Sequence, residues 1–124
     1  MTGVQTCALP IFGLCTHGPL HENDEVERYA SPLRFDARPM DGIIHATYVT
    51  ARMHLAVQRL IESGVLNREQ LAEARKANAD NAKWFASGME TVDRHARLTP
   101  LGKEVMENAR RYMAAYLPAK ALAL

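Results

Sequence analysis

Residues 67–96 read NREQLAEARKANADNAKWFASGMETVDRHA, and their spacing decides the fold. Asn67 followed three residues later by Gln70 has the form of a capping box, in which each side chain satisfies the other residue's backbone N–H at a helix start. From there Leu71, Ala74, Asn78, Ala82, Phe85, Met89, Val92 and Ala96 recur three or four apart. That is the seam along which one helix lies against an antiparallel neighbour. Gly88 stands inside the run as a candidate kink.

Helical periodicity extends to both sides. Upstream, Asp41 is placed to cap a helix whose apolar or small positions are Ile44, Tyr48, Ala51, Leu55 and Leu60-Ile61, with Ser63-Gly64 as the stop. Downstream, Thr99-Pro100 combines a capping hydroxyl with a proline suited to the first helical turn. Leu101, Val105, Ala109, Tyr112 and Tyr116 follow as a third stripe, with Met113 beside it in the expected core, before Pro118 stops the helix. No strand-like alternation and no internal repeat appears, so the expected fold is all-α, three helices in an up-down array. Ahead of it, Phe12 to Pro39 holds Pro19, Pro32 and Pro39 and the acidic residues Glu22, Asp24, Glu25 and Glu27 without a sustained period, which reads as an irregular connection. A segment of that length inside a compact domain is expected to be functional or poorly ordered.

Composition sets the class. The 124 residues are 48% hydrophobic and 23% charged, with 15 Lys and Arg against 14 Asp and Glu and a net charge of +1. A domain of this size buries roughly two-thirds of its unfolded surface, enough for a core without disulfides or metals. The near-neutral charge, with Arg110-Arg111 the one Arg-Arg pair, argues against nucleic acid or an anionic membrane as partner.

Met1 to Leu20 contains no Asp, Glu, Lys or Arg. A secretory signal needs a charged region ahead of its apolar run, and this segment has none. Thr2 to Ile11 instead resembles the translation of a common short-read sequencing adapter, with a GTG start supplying Met1 and the leftover thymine opening the Phe12 codon. On this reading residues 1–11 are an artefact and 12–124 are the C-terminal helical part of a larger domain. Cys7 then drops out, and Cys15 alone cannot form an internal disulfide, which points to a reducing, cytoplasmic setting.

Five histidines are the main chemical resource. His21-Glu22 begins like a zinc-binding H-E-x-x-H, but Glu25 occupies the second histidine position; His17 and His21 therefore read as loop histidines. His54 reads as an outward-facing helix residue, and His95 as a last-turn histidine favoured by the helix dipole. His45 is different, because Arg52 lies seven residues on and returns to within about 20° of the same helical direction, with Tyr48 beside them. The pair offers an imidazole to a metal and a guanidinium fork to a carboxylate. The same residues are also compatible with a hydrogen-bonded histidine at the edge of a core and an arginine paired with a glutamate. No glycine-rich phosphate loop, nucleophile elbow or cysteine pair is present.

Residues 29–53, YASPLRFDARPMDGIIHATYVTARM, carry a resemblance. Pro19-Leu20, Ser31 to Arg34, Asp36, Arg38 to Met40, Gly42 and His45-Ala46, followed by Leu98-Thr99-Pro100-Leu101-Gly102, are similar in order to the 2-oxoglutarate-dependent HExxH-type peptide β-hydroxylases associated with peptide-modification gene clusters. In that family an H-E-x-x-H helix comes first, then a Pro-Leu loop, S-P-L-R-x-D-x-R-P-M-x-G, a helix opening with His-Ala, and a late L-T-x-x-G. The resemblance implies a hydroxylase fragment that lacks the H-E-x-x-H. It also implies His45 as the third iron(II) ligand, and Arg52, or alternatively Arg38, as the partner of the 2-oxoglutarate carboxylate. The substrate of the intact parent would be a ribosomal peptide. A single imidazole cannot fix an iron with open positions for co-substrate and dioxygen, so the chain alone is expected to bind metal weakly and to be inactive. Two other readings compete: a fragment of a zinc metallopeptidase-like protein, and a non-catalytic helical partner-binding module, for which the long loop from His17 to Pro39 would be unnecessary.

Overall fold

The computed structural model describes residues 18–31 and 37–117. The adapter-like segment, Cys15, His17, the stretch from Pro32 to Asp36 and Pro118 all lie outside them. Among the described residues three helices follow in chain order: α1 (Met40–Glu62), α2 (Arg68–His95) and α3 (Pro100–Met113), the last running into a 3-10 turn at Ala114–Tyr116. The all-helical expectation holds, and among the described residues there is no strand, only isolated bridges between His21 and Leu98 and between Tyr29 and Arg38.

The helix starts follow their local chemistry, with one correction. The Asn67–Gln70 capping box forms in full: Gln70 N–H donates to Asn67 Oδ1 at 2.9 Å and Asn67 N–H to Gln70 Oε1 at 3.0 Å. Thr99 caps α3 by accepting the Gly102 N–H at 3.1 Å, with Pro100 in the first turn. Asp41 does not cap α1. Pro39 holds that position in extended backbone, and its carbonyl accepts from both Gly42 and Ile43; the helix thus starts two residues earlier than a capping Asp41 would set it, with proline's fixed φ at the cap. Asp41 sits in the first turn, where its carboxylate accepts the Gly42 N–H at 2.8 Å. At the other end Gly64, at φ +76°, supplies the left-handed residue that terminates α1.

α1 and α2 run antiparallel, as the contacts Thr47 to Gly88 and His54 to Asn78 show by descending in one chain as they ascend in the other. Met40, Ile43, Ile44 and Ala51 of α1 meet Phe85, Met89 and Val92 of α2, and α3 closes the core with Val105, Met106, Ala109 and Met113. Gly88 does not break α2, which is continuous from Arg68 to His95. Its missing side chain instead lets the buried Thr47 approach the α2 backbone, since a Cβ there would run into the Thr47 hydroxyl.

Three further expectations change. His54 is buried, 3% exposed, because the inner face of α1 runs Ile43, Thr47, Thr50, His54 and is partly polar; periodicity judged from apolar residues alone passed over it. Leu60 is 44% exposed, so the inner stripe of α1 does not extend to it. Tyr116 is 39% exposed, because α3 ends at Met113 and the 3-10 turn carries it out of the stripe. Met113, by contrast, is fully buried, and Tyr112 is packed at the core's edge.

Candidate functional site

The segment from Gly18 to Ser31 has no helix or strand of its own, yet it is pinned to the α2–α3 connection. Thr99 is the first fastening. Its hydroxyl donates to Pro19 O at 2.7 Å while accepting from Gly102, and its N–H donates to Leu20 O at 3.0 Å. Gly102 is required at this point, since a Cβ would occupy the space of the Leu20 carbonyl. Glu22 N–H then donates to Arg97 O at 2.8 Å. The second fastening is the buried Asn23, whose amide donates to His95 O at 2.7 Å and Tyr29 Oη at 3.2 Å, and whose carbonyl accepts the Arg97 N–H at 2.7 Å. With every side-chain polar atom engaged, this buried amide meets the requirement that such groups be hydrogen-bonded. Tyr29 in turn donates to Glu27 Oε2 at 2.7 Å and stacks on His95 with ring centroids 5.1 Å apart. That acceptor carboxylate holds the Tyr29 hydroxyl above its usual range.

This docking encloses a cleft of about 370 Å³ between the segment and the start of α1. Pro19, Leu20 and Ile44 give it an apolar floor, and His21, Glu25 and Asp41 a polar margin. His21 Nδ1 accepts the Asn23 N–H at 3.0 Å. The neutral ring then carries its hydrogen on Nε2, which makes it a hydrogen-bond donor there and not a metal ligand.

None of the predicted site residues His45, Arg52 and Arg38 is among the described residues that line this cleft. His45 follows Ile44 on α1 and is half-buried. Arg52 is exposed on the same helix, which is regular between them, so the seven-residue spacing keeps both on one flank. Arg38 lies in the extended backbone ahead of α1, exchanging hydrogen bonds with Tyr29 at 2.7 and 2.8 Å. No described interaction joins His45, Arg52 and Arg38. Among the described residues, no three His, Cys, Asp or Glu side chains are grouped so as to hold a metal ion. His45 by itself does not meet the donor requirement of an iron or zinc centre.

Sequence reasoning missed two arrangements. Asn23 carried no signal, since a lone asparagine in an acidic loop looks like any turn residue. The second is an aromatic box in which His54 Nδ1 lies 2.9 Å from Tyr112 Oη and the His54 ring sits 4.3 Å from that of Tyr116; the signal was present in the seven-residue step from Thr47 to His54. No described helix is long and apolar enough to cross a membrane. Comparison with models of known protein families, with curated proteins and with solved structures finds no match to this chain.

Proposed function

We propose that this chain is part of an iron(II)- and 2-oxoglutarate-dependent hydroxylase acting on ribosomal peptides, with residues 12–124 as its C-terminal helical portion. One observation carries the reading. The sequence segments that the family resemblance selects, Pro19-Leu20 and Leu98 to Gly102, lie about 80 residues apart and are bonded directly to each other. Met40 and Gly42, also in the resemblance, begin α1 at the same cleft. Residues that build one junction are those expected to recur together in a family.

The described residues do not fit a complete iron site. On this proposal His45 supplies one ligand, and the others come from an H-E-x-x-H helix ahead of Phe12. Arg52 offers a planar fork to the co-substrate carboxylate, an interaction suited to a guanidinium.

Purified as 124 residues and supplied with iron(II), 2-oxoglutarate and dioxygen, the chain is expected to form no succinate. Turnover by this chain alone would overturn the proposal. The genomic sequence upstream of the Phe12 codon is expected to encode an in-frame H-E-x-x-H. In the longer protein His45→Ala is expected to weaken iron binding, and Arg52→Ala to raise the KM for 2-oxoglutarate by roughly 10- to 100-fold, the value of a hydrogen bond to a charged group. Peptide cleavage without 2-oxoglutarate would favour the zinc peptidase reading instead. A helical partner-binding module is favoured by one observation, the exposure of Met53, Leu60 and Trp84 on α1 and α2; activity surviving both substitutions would select it.

A further inference from the structure

On α1, beyond the cleft, His54 is buried against three other elements. Its ring faces Tyr112 of α3, centroids 5.7 Å apart and nearly edge-on, and Tyr116 of the 3-10 turn at 4.3 Å. Asn78 of α2 donates to the His54 carbonyl at 3.2 Å and is itself bonded to Asn81. From α1, Gln58, Arg59 and Glu62 follow along the helix. Gln58 Oε1 accepts from Asn78, while Arg59 and Glu62 act on the Tyr112 hydroxyl in opposite senses.

Burial, with Tyr116 beside it, pushes the Tyr112 hydroxyl up to about 12, so it keeps its proton and is able to donate to His54 Nδ1, 2.9 Å away. In the arrangement where Tyr112 donates, the imidazole is neutral with its hydrogen on Nε2. Among the described residues no carboxylate bonds to this ring. Burial alone acts on its titration, lowering it from the ordinary 6.5.

We propose that His54 is a proton-operated latch: the neutral ring holds the turn Ala114–Tyr116 against α1, and protonation releases it. With Tyr112 donating, protonation replaces the acceptor at Nδ1 with a second donor facing that hydroxyl, and it puts a charge where burial disfavours it. The turn is the element free to respond, since Tyr116 is already 39% exposed and no residue of Ala114–Tyr116 is buried. On one side of the turn Met113 is fully buried and holds α3 in place, and on the other Leu117 packs against the core, so what is released is the turn between them.

The sign follows from linkage. A histidine whose folded titration lies below 6.5 leaves the closed state fully favoured above 6.5. The closed state then loses ground as pH falls from 6.5 toward the folded midpoint. Each unit of depression corresponds to a tenfold change in the ratio of closed to open turn.

The test is a site-resolved NMR titration of the full chain, which separates His54 from His17, His21, His45 and His95, combined with hydrogen exchange corrected for intrinsic rates. The expected result is a His54 midpoint below 6.5. Protection at Ala115 and Tyr116 should fall over the same range, by about tenfold per unit of depression, while Phe85 and Val92 stay protected. A midpoint at or above 6.5, unchanged protection at Tyr116, or simultaneous loss at Phe85 would each overturn the latch. His54→Gln keeps an acceptor for Tyr112 without a titrating ring, and its Tyr116 protection is expected to be flat with pH; persistence of the pH dependence also overturns the proposal. Should that variant not fold, the titration of the unsubstituted chain decides alone.

Discussion

At Gly88 the two long helices have no room for a methyl group. Thr47, which would receive it, is fully buried and its hydroxyl donates to Ile43 O at 2.7 Å, so it cannot turn away without breaking that bond. Gly88→Ala is therefore expected to destabilise the chain by about 1–3 kcal/mol, the usual cost of overpacking, as read from the urea midpoint. Adding Thr47→Ala removes the colliding atoms, and the double variant is expected to be more stable than the sum of the two single losses. Additive losses would mean that the helices part to admit the methyl. Gly102→Ala differs in kind, because the obstructing atoms belong to the Leu20 backbone and no rotamer relieves them. Its expected signature is local: loss of hydrogen-exchange protection at Thr99 N–H, which bonds Leu20 O, with α1 and α2 intact.

Among the elements, the helix starts make a graded prediction. Asn67 is exposed and serves only its own capping box, so Asn67→Ala should cost about 1 kcal/mol. Thr99 both caps α3 and ties the N-terminal segment to it. Thr99→Ala should therefore cost more than Asn67→Ala in the same denaturation assay, and Thr99→Ser should recover most of the difference. Both caps were legible in the sequence because each depends on residues within three positions. The α2 stripe was legible for the same reason, since it reflects the period of one helix. What the sequence did not disclose were contacts set by a distant partner. The step from Thr47 marks His54 as inward, but its partner Tyr112 arrives from α3, and Asn23 is buried because Arg97 and His95 present backbone groups to it 72 to 74 residues away. The site residues His45, Arg52 and Arg38 were placed by spacing and by resemblance. α1 carries His45 and Arg52, and Arg38 stands in the extended backbone ahead of it.

For the molecule as a whole, the segment Gly18 to Ser31 and the three helices are joined chiefly through Asn23, Thr99 and the carbonyl of Leu20. Asn23→Ala is expected to leave the helical circular dichroism nearly unchanged, because no helix contains that residue. The same substitution should abolish amide protection at Arg97, whose N–H has Asn23 Oδ1 as acceptor. Protection retained at Arg97 would show that the segment is held by other means. The long separation across this junction also has a consequence for biosynthesis. A chain made from its N-terminus exposes Pro19 and Leu20 long before Thr99 and Gly102 leave the ribosome, and closing so wide a loop comes late compared with pairing α1 and α2. During that interval the apolar floor of the cleft is open to solvent, so a nascent chain stalled before Thr99 should be a better chaperone client than the finished protein.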